Sequence, residues 1–66
     1  MKEQLYDVVI FDHETRTVSA VIGTNLTEDR AYRREEAGWG RINDAYGVLI
    51  VEAGKYTKGS ELPMTP

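Results

Sequence analysis

Residues 5–11 alternate with period two, which places Tyr6, Val8 and Ile10 on one face of a strand and Leu5, Asp7, Val9 and Phe11 on the other. The run is short, aromatic and β-branched, a composition that favours strand over helix. Asp7 is its only charge and marks the second face as the wetter one. A polar stretch, Asp12-His13-Glu14-Thr15-Arg16, follows as a turn. Alternation then resumes over 17–22, with Val18, Ala20 and Ile22 opposite Thr17, Ser19 and Val21. Two such runs joined by a polar turn predict a hairpin. Gly23-Thr24-Asn25 ends the second strand.

From Leu26 to Ile42 the period changes to that of a helix. Thr27 is a suitable N-cap, and Glu28 and Asp29 in the first turn suit the positive end of the helix dipole. Leu26 and Ala31 occupy the two positions of a hydrophobic staple. Gly38 and Gly40 mark the end, since either can take the left-handed conformation that closes a helix. At roughly 100° per residue Ala31, Gly38 and Ile42 stack into a narrow apolar stripe with Tyr32 and Trp39 beside it. Small residues in the stripe predict a helix lying close against a sheet, with Trp39 sealing the sheet edge. Arg30, Arg34 and Arg41 form a separate row with Ala37 between them and Arg33 adjacent, while Glu28 and Glu35 fall roughly opposite. Asp29–Arg33 and Arg33–Glu36 are spaced for local ion pairs worth about 0.2–0.5 kcal/mol each.

After the turn Asn43-Asp44-Ala45 comes the most hydrophobic segment of the chain, Tyr46-Gly47-Val48-Leu49-Ile50-Val51-Glu52. A run apolar on both faces predicts a strand in the middle of a sheet or at an interface. Lys55-Tyr56-Thr57 is an optional short edge strand guarded by lysines. Glu61 onward is expected to fray, with Pro63 and Pro66 preventing a regular ladder. The expected fold is therefore α+β: a small antiparallel sheet of three to four strands in the order β-β-α-β, covered on one face by a single helix. The single domain spans residues 1–62 and a flexible C-terminal tail 63–66. One helix cannot cover both faces. The spare face, with Leu5, Val9, Phe11, Val21, Leu49 and Val51 as candidates, is expected to pair with a second copy, giving a homodimer, or with a target.

Composition limits the possibilities. Sixty-six residues bury a modest core, and such domains usually rely on disulfides, a metal or a partner. The chain has no cysteine and one histidine, His13, which excludes disulfides and argues against the common zinc frameworks. Apolar residues at 41% and charged residues at 29% are ordinary for a folded soluble domain. No apolar run is long enough to cross a bilayer and the N-terminus lacks a signal-like h-region, so a cytoplasmic location is expected and Asn25-Leu26-Thr27 reads as helix initiation, not a glycan acceptor.

Candidate chemistry is sparse. Asp12-His13-Glu14 alone brings a histidine together with carboxylates, but adjacent residues in a tight turn diverge too much for chelation and serve the turn itself. The glycines have no phosphate-loop or dinucleotide spacing. No catalytic residue, cofactor or metal is expected. Arg30, Arg33, Arg34 and Arg41, with Tyr32 and Trp39, form the candidate partner-binding set, because arginine and aromatic residues dominate both protein hot spots and nucleic-acid surfaces. The helix stretch is neutral overall, and the rest of the chain carries the whole net charge of −3. An acidic domain repels a polyanion at long range, which favours a protein partner over nucleic acid. Asp7, Asp12, Glu14 and Asp44 could imitate phosphates toward a basic protein if they clustered on one face.

The stretch Asn25-Leu26-Thr27 leading into Arg30-Ala31-Tyr32-Arg33-Arg34-Glu35, then Gly40-Arg41-Ile42-Asn43 and the apolar strand ending Val51-Glu52, resembles small phage- and prophage-encoded β-β-α-β proteins. The resemblance implies a non-catalytic binding protein that masks a surface of a host protein. Inhibition of a bacterial defence system such as a CRISPR effector is one such role. The alternative expectation is a small nucleic-acid-binding accessory protein that uses the arginine row.

Overall fold

The structure, a computed structural model, describes residues 4–62; the N-terminal residues 1–3 and the proposed tail 63–66 lie outside the described residues. Three strands and one helix follow in the order β1 (Tyr6–Asp12), β2 (Val18–Leu26), α1 (Glu28–Trp39) and β3 (Tyr46–Glu52). The sheet is antiparallel throughout with strand order β2-β1-β3, and α1 crosses from one edge strand to the other, touching all three strands. The fold is a small α+β domain.

β1 occupies the centre and is apolar on both sides. Val8 faces the helix and Val9 faces away, and both are fully buried. Of the two places expected for the 46–52 run, the middle of the sheet belongs to β1 instead, and β3 is an edge strand. β3 is nevertheless apolar on both faces because a layer extends over each of them.

The helix-side layer joins Val8, Ala31 and Val48, with Tyr6, Ile10, Ile22, Leu26, Ile42 and Ile50 packed around them. Ala31 and Gly38 are the buried residues of α1, as the small-residue stripe predicts. A Cβ on Gly38 would stand 2.9 Å from Ile22 Cδ1 and 3.2 Å from Val48 Cγ2, so the bare backbone lets the helix sit close to the sheet. Thr27 is the N-cap in extended geometry, but its side chain makes no capping hydrogen bond. Leu26 and Ala31 share the same cluster, consistent with the staple. Neither glycine closes the helix in the left-handed region. Gly38 is needed as a contact surface, Gly40 stays right-handed at φ −73°, and the Arg41 N–H donates to the Gly38 carbonyl at 3.0 Å.

β2 departs furthest from the alternation. Its register with β1 shifts three times, between Tyr6 and Val8, between Val8 and Val9, and between Ile10 and Phe11. Each shift inserts an extra β2 residue and reverses which face the next side chain takes. Val18 therefore does not share a face with Ala20 and Ile22 but joins Val9 and Val51 on the far side. The bulges also carry the strand through Gly23-Thr24-Asn25, where a break was expected, with Asn25 at φ 51°.

The far face is not spare. The chain leaves β3 through the turn at Ala53-Gly54 and returns beneath the sheet, where Leu62 is buried with Val9, Val18 and Val51, and Tyr56 packs alongside. No strand forms at 55–57. The last described residues instead lie along the start of β2: the Val18 N–H donates to the Ser60 carbonyl at 2.8 Å, the Leu62 N–H to the Arg16 carbonyl at 2.8 Å, and Thr17 bridges Glu61. Glu61 and Leu62 are thus structural, not frayed, because Leu62 fills the layer that a second helix would otherwise supply. Asp7, on this same face, is 4% exposed and does not mark a wet surface.

Candidate partner-binding surface

The two long flanks of α1 differ in chemistry, and the helical period explains why. Arg30, Arg34, Ala37 and Arg41 recur at the spacing of one flank, with Arg33 adjacent, whereas Glu28, Tyr32, Glu35 and Trp39 recur along the other. The buried stripe of Ala31 and Gly38 lies between them. The basic flank therefore overhangs β2 and the acidic, aromatic flank overhangs β3.

On the β2 side three open recesses run into one another. The first, about 270 Å³, is lined by Leu26, Arg30, Arg33, Arg34 and Ala37. The second, about 210 Å³, shares Arg34 and Ala37 with the first and adds Ile10, Ile22, Gly38 and Arg41. The third, also about 210 Å³, shares Ile10 and Arg41 with the second and extends to Ser19, Ala20 and Tyr46. Together they form a groove with an apolar floor and a rim of guanidinium groups. Each recess is smaller than the usual small-molecule pocket of roughly 300–1,000 Å³ and opens along its length, a shape suited to a side-chain row of a partner.

Gly23 sets the width of this groove. A Cβ there would fall 2.7 Å from Leu26 Cδ1 and 3.2 Å from Arg34 Cγ, so the absence of a side chain lets the Arg34 stem lie across β2. The stem covers apolar surface while the charged head reaches water. Arg30, Arg33, Arg34 and Arg41 are all exposed, and the side-chain hydrogen bonds among the described residues involve none of them.

The structure brings the four candidate arginines onto one groove and separates them from both candidate aromatics. Tyr32, 57% exposed, lines a recess of about 240 Å³ with Tyr6, Glu28 and Ile50 on the β3 side. Trp39 shares that helical flank and is 50% exposed, so it does not seal the sheet edge. It follows Gly38 directly and so points about 100° round the helix from the packed stripe. The groove floor, Leu26, Ile22 and Ile10, was not singled out from the sequence; the signal for it was Ala37 inside the arginine row, a small apolar residue that leaves the floor open.

The hairpin turn holds the histidine. Asp12 Oδ1 accepts from the backbone N–H of Glu14 at 2.8 Å and of Thr15 at 3.2 Å, and Arg16 at φ 60° completes the turn. His13 stacks edge-on against Phe11 with ring centroids 5.0 Å apart and is exposed. Among the described residues no group of three His, Cys, Asp or Glu side chains could hold a metal ion, and no helix is long and apolar enough to cross a membrane. Asp7 cannot belong to a phosphate-imitating face with Asp12, Glu14 and Asp44, because it is buried and its carboxylate is bonded to the backbone.

No family model, curated protein or solved structure matches the chain in comparison.

Proposed function

We propose that the protein is a non-catalytic binding protein that masks a surface of a host protein, gripping it in the groove between α1 and β2. One observation carries this reading: four exposed arginines rim an apolar floor and make no side-chain hydrogen bonds within the described structure. An apolar floor rewards desolvation, while a guanidinium rim selects carboxylates by charge-assisted, bidentate hydrogen bonds. The partner segment should therefore present acidic residues flanking one or two apolar side chains. A phage setting, host-cytoplasm location and an anti-defence role such as inhibition of a CRISPR effector belong to the proposal through the sequence resemblance alone.

The test replaces Arg30, Arg34 and Arg41 by alanine together. Capture from a bacterial lysate should yield a protein retained by the wild type and lost by the triple variant, with the circular-dichroism spectrum unchanged. Binding of unlabelled duplex or single-stranded nucleic acid that weakens steeply with salt would instead assign the same arginines to phosphate contacts. The net charge of −3 opposes that outcome.

A further inference from the structure

The two edges of the sheet are treated differently. β2 is bulged three times, and its first residues are covered by the returning segment at Gly59, Ser60 and Leu62. Both are ordinary protections of an edge strand. β3 has neither. It pairs with β1 over seven consecutive residues without a register shift, contains no proline, and carries no charge before Glu52.

The hydrogen bonds at the two ends of the β1–β3 ladder fix which backbone groups of β3 point outward. The Ala53 N–H donates to the Leu5 carbonyl at 3.1 Å, and the His13 N–H to the Ala45 carbonyl at 3.0 Å. Bonded pairs in an antiparallel ladder recur every second residue, so Gly47, Leu49 and Val51 bond to β1 while Tyr46, Val48, Ile50 and Glu52 point away. Two of the outward groups serve local turns: the Tyr46 N–H donates to the Asn43 carbonyl at 3.1 Å, and the Glu52 carbonyl accepts from Lys55 at 3.3 Å. The N–H and C=O of Val48 and Ile50, the Tyr46 carbonyl and the Glu52 N–H have no partner among the described residues.

These free groups are self-complementary. We infer that a second copy of this chain pairs with β3 in antiparallel fashion about a twofold axis at Leu49, making one continuous six-stranded sheet. In this register Val48 faces Ile50 of the other copy, and the Glu52 N–H meets the Tyr46 carbonyl of the other copy. The two groups already held in turns face each other, so no free group is left over. About six interchain hydrogen bonds result. Leu49, 38% exposed and outside both core clusters, meets its counterpart at the axis, where an unbonded antiparallel pair brings side chains closest.

The helix flank fits the same operator. Glu28 and Tyr32 share a recess with Ile50, while Gly38 approaches Val48, so α1 runs antiparallel to β3 and is centred near Leu49. The twofold axis sets the Glu28 end of one helix toward the Trp39 end of the other, and Tyr32 toward Glu35. Acids are offset from acids, and the exposed aromatics gain cover. The arginine groove of each copy stays on the outer side of the assembly.

Sedimentation equilibrium and amide hydrogen exchange on the full chain test the inference together. The expected result is a mass of twice 7.5 kDa at high concentration, with the Val48, Ile50 and Glu52 amides protected. On dilution to the monomer these three should lose protection by at least roughly tenfold while Leu49 and Val51, bonded to β1, keep theirs. Leu49→Lys should give the monomer pattern at every concentration, and the retained Leu49→Lys position and Val51 amides report that the fold survives. A monomer at all concentrations overturns the inference. So does a dimer in which the three outward amides exchange freely, or protection of those amides that is independent of concentration.

Discussion

The Asp7 carboxylate accepts a hydrogen bond from the Gly54 backbone N–H at 3.0 Å across 47 positions of chain, and its other oxygen accepts from the Asn25 N–H at 2.9 Å. One buried side chain on the central strand thus ties the end of β2 to the turn that follows β3. It holds the chain where it starts its return beneath the sheet.

Replacing Asp7 by alanine should leave both N–H groups without their acceptor and lower stability by about 1–3 kcal/mol. Asp7→Asn should fall between, because its amide oxygen can still accept from one N–H while its NH2 group, itself a donor, faces the other. Urea denaturation followed by circular dichroism measures both.

Leu62→Ala removes the side chain that closes the layer over Val9, Val18 and Val51. The expected cost is about 2–5 kcal/mol, a large share of what a domain of this size has. Binding of a hydrophobic dye under native conditions should rise in parallel, since the far face is then open.

At Gly38 two effects oppose. Alanine gains about 1 kcal/mol of helix propensity but brings its Cβ against Ile22 and Val48, so Gly38→Ala should change stability little. Valine adds bulk that the sheet cannot yield to, and Gly38→Val should cost about 1–3 kcal/mol. Thermal unfolding of the two variants separates these contributions.

Arg16 sits in the left-handed region at φ 60° with its side chain exposed. Glycine relieves the steric cost there but enlarges the unfolded ensemble, so Arg16→Gly should stabilise by less than about 1 kcal/mol. Arg16 lines none of the recesses of the arginine groove, and capture of a partner should be unchanged in the same variant.

Local pattern was enough for the strand–strand–helix–strand order, the N-cap position at Thr27 though not a capping bond from its side chain, the buried Ala31 and Gly38, and the arginine row, because each depends on neighbours within a turn of helix or a few strand residues. It failed wherever distant chain segments meet. Period two cannot reveal a bulge, so Val18 was assigned to the wrong face; a charge in a strand reads as wet until its acceptors' partners, Asn25 and Gly54, are found 18 and 47 positions away. Apolar residues on both sides suit the 46–52 run to the middle of a sheet or to an interface, and local pattern cannot choose; β1 took the centre when the hairpin and the helix crossover placed β2 and β3 on either side of it. Which arginines share a groove, and that Tyr32 lies across the helix from them, follows from how the helix rolls onto the sheet, and that roll is set by packing at Gly38 and Gly23. The sequence by itself determined the elements and the chemistry each one carries. The tertiary structure alone decided which edge stays open and which face is closed, because both depend on where the returning chain through Leu62 comes to rest.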